Sequence, residues 1–255
     1  MLARRSALAG LAGVPLATLL ADARLARAAA AGLETATIQT VSGRTVQAAL
    51  AHPEAKPAPA VVLVHEWWGL NDQIKSVAAA LADAGYLALA VDLYEGQVAA
   101  TPDTAKALMS AVDPAAATDT LASWIDWLAG HPEATGRVAT LGWCFGGGWS
   151  LNAALARPVP ATVVYYGNVA KSAADLAPLE GPVLGHFATQ DQWINQAMVD
   201  GFAAAMAAAG KQTEIHWYDA DHAFANPTQG RYDEADAALA WRRTLEFLAR
   251  HLSSA

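Results

Sequence analysis

The sequence predicts an α/β protein: a mostly parallel, doubly wound sheet entered through an N-terminal antiparallel hairpin. Three observations predict it. Six short runs, Ala60–His65, Leu87–Leu93, Val138–Cys144, Ala161–Tyr166, Val183–Phe187 and Thr213–Tyr218, are rich in Val, Leu or aromatic residues and apolar on both faces. That is the pattern of strands buried inside a parallel sheet. Stretches of helical character separate these runs, and strand–helix alternation places helices on both sides of such a sheet. Ahead of the first run, Ala36–Val41 and Val46–Leu50 alternate in polarity about Ser42-Gly43, which reads as a hairpin.

In chain order, Pro53, Pro57 and Pro59 mark the loop between hairpin and first buried run. Helices are expected over Asp72–Ala84, Asp103–Val112, Pro114–Ala129, Gly147–Ala156, Asn195–Ala209 and Tyr232–Leu252. The last sets Trp241, Leu245, Leu248 and Leu252 on one face and Arg242, Glu246 and Arg250 on another, the stripe of a helix lying on a core. With 255 residues, 54% hydrophobic and 16% charged, the chain has ample material for a large core, and no repeat or long linker divides it. The formal net charge of −8, without a basic cluster beyond the first residues, argues against a nucleic-acid partner.

Residues 1–28 are set apart from the single domain expected over 29–255. Arg4 and Arg5 precede an apolar run to Ala21, and a small-residue site, Ala26-Arg27-Ala28, follows. Basic start, short apolar run and A-x-A ending in that order describe an export signal, and the paired arginines resemble the twin-arginine type that carries folded proteins. Cleavage after Ala28 changes the balance from 16 basic against 24 acidic residues to 12 against 23, a formal charge of −11. The expected destination is the periplasm, and no apolar stretch in the remaining chain is long enough to suggest a membrane span. The plain alternative is a retained N-terminal tail.

One cysteine, Cys144, lies in Gly142-Trp143-Cys144-Phe145-Gly146-Gly147-Gly148, where a strand ends and a helix begins. A single thiol forms no intrachain disulfide, and an exported one is exposed to oxidation unless sheltered. The spacing is that of a nucleophile elbow, a turn so tight that the residues two before and two after the nucleophile must lack bulk. The helix that follows directs its N-terminal amides toward the sulfur, which favours negative charge there. Among seven histidines, His222 follows the last apolar run, while His65 and His186 sit at strand ends where they could line a pocket. Asp191 follows the run Val183–Phe187; Asp219 and Asp221 compete with it for the role of acid, though Asp221 adjoins the histidine in sequence. Nucleophile, acid and base then follow the chain order of the α/β-hydrolase fold.

Two backbone donors are needed for an oxyanion, and the amides of Phe145 and Trp67 are the candidates. Glu66 beside them could be a solvated loop residue or could take or orient the thiol proton. Trp68, Trp143, Trp193 and Phe224 are candidate pocket residues, and the tryptophans around these positions, Trp67, Trp68, Trp143, Trp149 and Trp193, suggest a bulky or aromatic substrate, although core packing explains several of them equally well. No metal or organic cofactor is needed. A zinc site built from His216, Asp219, Asp221 and His222 is a rival, but its spacing follows no recognised ligand pattern. A hydrolase-like binding protein with an inert or redox-sensing thiol is another.

Val-Leu-Val-His-Glu-Trp-Trp-Gly (62–69), Ala-Val-Asp-Leu-Tyr (90–94), Gly-Trp-Cys-Phe-Gly-Gly (142–147), Asp191 and Asp-His-Ala-Phe (221–224) together resemble the dienelactone hydrolase family. The resemblance implies ester or lactone hydrolysis by a Cys144–His222–Asp191 triad, through an acyl-thioester. It also implies that Glu66 contacts the resting thiol and releases it when substrate arrives. Family members that cleave dienelactone carry two arginines for its carboxylate, and Gly96 and Asn226 stand in those places here. Losing a bidentate clamp predicts poor binding of an anionic lactone.

Overall fold

A computed structural model describes residues 23–253. Its centre is one eight-stranded sheet in the order β1-β2-β4-β3-β5-β6-β7-β8. The strands are β1 (Glu34–Gln39), β2 (Thr45–Ala51), β3 (Ala58–Val64), β4 (Leu87–Val91), β5 (Ala134–Trp143), β6 (Thr162–Tyr165), β7 (Val183–Ala188) and β8 (Thr213–Tyr218). The hairpin pairs Ile38 with Val46, and β2 runs antiparallel to β4; the remaining pairs are parallel. β3, β4 and β6 are buried at nearly every position, which is why their sequences do not alternate.

Eight helices connect them among the described residues: α1 (Ala23–Ala31), α2 (Asp72–Asp83), α3 (Pro102–Ala111), α4 (Pro114–Ala129), α5 (Phe145–Ala156), α6 (Ala173–Leu176), α7 (Gln196–Ala208) and α8 (Glu234–Leu252). Ile74 and Val77 of α2 pack with Phe247 and Leu248 of α8 on one side of the sheet. On the other, Leu121 and Trp124 of α4, Leu151 of α5 and Phe202 of α7 form a second core. Caps explain the starts: Asn71 accepts from the Ile74 amide at 3.1 Å, and Asp113, ahead of Pro114, accepts from Ala116 at 2.8 Å.

Two starts differ from expectation by more than one residue. α8 begins at Glu234, because Asp233 caps it by accepting from the Asp236 amide at 3.0 Å, so Arg231 stays in the preceding loop. α5 begins directly after Cys144, at Phe145, without a side-chain cap. The one-turn α6 was not foreseen; a reciprocal Ser172–Asp175 capping box makes it.

Arg4, Arg5 and the apolar run of the expected leader lie outside the described residues. The point after Ala28 falls within α1, which lies on α2, buries Ala26 and Ala29, and brings Arg27 within 3.9 Å of Asp72. No helix among the described residues is long and apolar enough to cross a membrane.

From β3 the chain goes to β4 on one side, and afterwards to β5 on the other. The sheet order therefore reverses between β3 and β5, whose ends pair Val64 with Gly142. A crevice opens beyond the carboxyl ends of strands at such a reversal. Glu66, which follows His65 out of β3, and Cys144, which leaves β5, meet there.

Candidate active site

Cys144 adopts φ 54° and ψ −119°, a conformation that costs a β-carbon-bearing residue energy and must be held by its surroundings. The glycines hold it. A β-carbon on Gly142 would overlap the Gly146 carbonyl, and one on Gly146 would overlap the carbonyls of Val64 and His65. The first turn of α5 is therefore pressed against β3, and the half-buried thiol stands at the helix N-terminus. That terminus keeps donors in reserve. Among the described residues, neither the Phe145 amide nor the Trp67 amide donates to a protein acceptor.

His222 arrives on the loop after β8. Its Nδ1 lies 2.6 Å from Asp191 Oδ2, and the Asp191 side chain has no solvent exposure. A carboxylate only accepts, so Nδ1 carries the proton and Nε2 is left for chemistry. Asp191 Oδ1 accepts from the amides of Trp193 at 2.8 Å and Ile194 at 3.0 Å, in the turn after β7. Burial disfavours the Asp191 charge, but the bonds from His222 and the two amides outweigh it and lower its pKa. Burial likewise opposes charge on His222, yet Asp191, together with the interaction of Cys144 with the same ring, pushes its pKa up to about 10. Asp219 instead accepts from Thr189 at 3.2 Å and Gln190 at 3.1 Å. Asp221 caps the His222 amide at 2.7 Å and faces Arg231 at 3.4 Å. Neither reaches the imidazole, and His216 turns away to Glu214 at 2.8 Å.

Glu66 is buried with both oxygens engaged. Oε1 accepts from the Tyr166 hydroxyl at 3.2 Å and Oε2 from Asn226 Nδ2 at 2.6 Å. Burial raises its pKa, with Asn226, His222 and Tyr166 opposing. No hydrogen bond joins Glu66 to the thiol among the described residues. Of the two places where arginines were looked for, Asn226 is therefore buried behind the site, and Gly96 lines a separate cleft with Arg44 and Asp92.

A cavity of about 680 Å³ lies over these groups, lined by Glu66, Trp67, Cys144, Phe145 and His222 at its floor. Trp68 and Trp193 form walls, as expected. Trp143 and Phe224 do not line it. Trp143 lies in the core against Tyr165, with centroids 5.4 Å apart, because side chains alternate along β5 and Cys144 follows it. Phe224 is wholly buried, packed between Tyr166 at 5.4 Å and Tyr218 at 4.8 Å. His65 and His186 are also buried and absent from the lining; His186 bonds Tyr218 at 2.8 Å and Thr244 at 3.0 Å. The walls that sequence reading missed include Met109 of α3 and Asn168 and Lys171 of the loop after β6. Trp149, one of the tryptophans grouped around the site in the sequence, lines the cavity, and so does Asn152, which was not foreseen; with Phe145 they fall at i, i+4 and i+7 of one helix face, a signal that was there to be read.

The sheet order and the strained turn after β5 define an α/β-hydrolase. Sequence comparison narrows this further: the profile of the dienelactone hydrolase family matches residues 46–252, and the chain belongs to that family. A carboxymethylenebutenolidase of Pseudomonas putida is 31% identical over 227 residues, covering 83% of this chain and 94% of its own. Carboxymethylenebutenolidase 1 of Cupriavidus pinatubonensis is 28% identical over 222 residues, covering 83% and 94%. Among solved structures, a Klebsiella pneumoniae protein assigned to the dienelactone hydrolases superposes with a TM-score of 0.78 at 30% identity, over 86% of this chain and 98% of that one. A dienelactone hydrolase-like promiscuous phosphotriesterase from metagenomic libraries shares the fold, with a TM-score of 0.79 at 23% identity, over 87% and 99%.

Proposed function

We propose that this hydrolase cleaves a carboxylic ester or lactone with Cys144 as nucleophile, His222 as acid and base, and Asp191 as the group that orients it. One observation carries the reading: the only thiol sits on the strained elbow beside a histidine whose far nitrogen is fixed by a buried carboxylate. A relative named carboxymethylenebutenolidase, matched over 83% of the chain, supports the same reaction class.

With the proton of the pair on His222, the sulfur attacks the ester carbonyl carbon, and the π electrons move to its oxygen. The Phe145 and Trp67 amides hold that oxygen. The carbon–oxygen single bond then breaks, the alkoxide takes the proton from Nε2, and an acyl-thioester remains. The acylated sulfur carries no charge, so His222 loses one of the influences that raise its pKa and becomes able to accept a proton. It takes one from water as the oxygen adds to the thioester. Collapse expels the thiolate and leaves the acid, one water having been consumed.

Hydrolysis of a chromogenic aryl ester, by the wild type before and after alkylation and by Cys144→Ala and His222→Ala, tests this. Loss of turnover in all three supports it. Turnover that survives loss of Cys144 would overturn the nucleophile and favour a binding or redox-sensing role for the thiol.

We further propose export through residues 1–28. Cell fractionation of the full chain, beside an Arg4→Lys/Arg5→Lys pair, tests it: unaltered periplasmic delivery of the pair would refute a twin-arginine route.

A further inference from the structure

His65 takes no part in the triad and does not line the pocket, yet it is completely buried at the end of β3. Its Nδ1 lies 2.5 Å from the carbonyl oxygen of Glu66, and its Nε2 lies 3.2 Å from the amide of Leu93. A carbonyl only accepts and an amide only donates, so the ring is neutral with its proton on Nδ1. Burial, which lowers its pKa, acts in the same direction.

The Glu66 carbonyl and the Trp67 N–H belong to one peptide plane. That peptide is trans, so the two groups point in opposite directions. The carbonyl is held from behind by His65 and by the Gly69 amide at 3.2 Å, while the N–H opposite has no protein acceptor among the described residues. The same ring stacks on Phe145, whose amide is the other candidate donor, at a centroid separation of 5.8 Å. Tyr94 closes the group, 4.6 Å from His65 and 5.6 Å from Phe145.

We infer that His65 is a positioning residue for the oxyanion site: by fixing the Glu66 carbonyl, it aims the Trp67 N–H at the oxygen on which charge develops. The inference rests on the proposed reaction, in which that N–H is one of two donors. A donor fixed before substrate binds stabilises the transition state without reorganising during the reaction, so the ring affects kcat more than KM.

Three variants separate the ring's two bonds. His65→Leu fills the space and makes neither. His65→Asn places an amide nitrogen near the Nδ1 position and keeps the bond to Glu66. His65→Gln reaches toward the Nε2 position and can serve Leu93 alone. For each, kcat and KM on an aryl ester are measured beside the rate at which iodoacetamide alkylates Cys144. Alkylation is displacement at a saturated carbon, so it needs the thiol but no oxyanion donor.

The expected result for His65→Leu is a fall in kcat of about 10- to 100-fold, less than deletion of a donor, with KM and alkylation rate within about threefold of wild type. His65→Asn should recover most of kcat and His65→Gln should not. A kcat for His65→Leu within about threefold of wild type overturns the inference. So does alkylation slowing in proportion to kcat, because the ring would then be supporting the thiol and not the donor. Should His65→Leu fail to fold, equal kcat in the Asn and Gln variants would be enough to reject it. Failure of the underlying reaction has a different sign: wild-type turnover that survives alkylation of Cys144 removes both readings together.

Discussion

Replacing Asp191 with asparagine changes one atom and should nearly abolish turnover, for a reason visible in the turn after β7. Oδ1 of Asp191 already accepts two amides, from Trp193 at 2.8 Å and Ile194 at 3.0 Å. An asparagine must put its carbonyl there, since an NH₂ group would leave two buried donors facing a third. Its NH₂ then occupies the Oδ2 position, 2.6 Å from His222 Nδ1. Two donors cannot share that distance. The imidazole must move its proton to Nε2, the nitrogen that has to accept one from water. A wrong tautomer in a serine triad costs about 10⁴ in kcat, and about 10³ to 10⁴ is expected here, or roughly 4–5.5 kcal/mol of transition-state stabilisation. His222 also loses the foremost of the interactions that push its pKa up to about 10, so its titration should move toward the ordinary range. Steady-state kcat on an aryl ester reads the first effect, and NMR titration of the His222 ring reads the second. A loss below about tenfold, or an unmoved titration, would refute the assigned tautomer.

Other consequences follow from the same geometry. Gly146→Ala would drive a β-carbon into the carbonyls of Val64 and His65, backbone atoms that cannot swing away; the upper part of the overpacking range, about 3 kcal/mol, predicts a fall in Tm of about 6–12 °C by calorimetry. Trp193, 57% exposed, stands edge-on to His222 at 5.3 Å with Arg231 over it at 5.2 Å, so in the proposed mechanism it would border the side from which the leaving group takes its proton. Trp193→Ala should therefore raise KM for aryl esters by about 3- to 10-fold and leave ethyl esters little changed, and equal effects on both would contradict the assignment. His222 has a raised pKa, so the stability it contributes is complete below the unfolded value of about 6.5 and is lost as pH rises through about 10. Asp191 has a lowered pKa; its contribution holds above the unfolded value of about 3.9 and is lost as pH falls through the folded one. The Tm gap between wild type and His222→Gln should narrow on both flanks, and a gap constant from neutral pH to about 10 would contradict the linkage.

Much of this was legible in the sequence because a buried parallel strand leaves a distinctive mark. β4, Leu-Ala-Leu-Ala-Val, is buried at every position and has nowhere to place a polar residue. The elbow was legible because close packing at Gly142 and Gly146 admits only glycine. The choice among Asp191, Asp219 and Asp221 was less so, since it depends on how the turn after β7 presents its amides to one carboxylate oxygen. Trp143 and Phe224 were misplaced because nearness in sequence to Cys144 and His222 is not nearness to the pocket. On a strand, the side chain one position away faces elsewhere. Met109 and Lys171 could not have been found, because only tertiary folding brings α3 and the loop after β6 over the thiol. The role of His65 was hidden for a related reason: it works through a main-chain carbonyl, and backbone partners leave no trace in residue type.

The same rearrangement of partners bears on the charge of the substrate. Gly96 opens onto another cleft, so an arginine in its place would not have faced Cys144 along the present chain path. Asn226 is committed to Glu66 through its nitrogen and to Thr228 through its oxygen, at 2.7–2.9 Å, and offers nothing to a ligand. Arg231 does line the cavity, but it faces Asp221 and lies over Trp193. Lys171, half-buried, is left as the one lining cation with no ion-pair partner among the described residues, and an ammonium is a point charge, not a fork matched to a carboxylate. An anionic substrate would lose its hydration against walls of Trp67, Trp68, Trp149 and Trp193 and regain little of it in paired hydrogen bonds. A neutral ester or lactone bearing an aromatic group would lose no such hydration and could pack on the same tryptophans. We therefore propose that the pocket disfavours a carboxylate through the partners its polar groups already have, and that the tryptophans supply most of the binding energy.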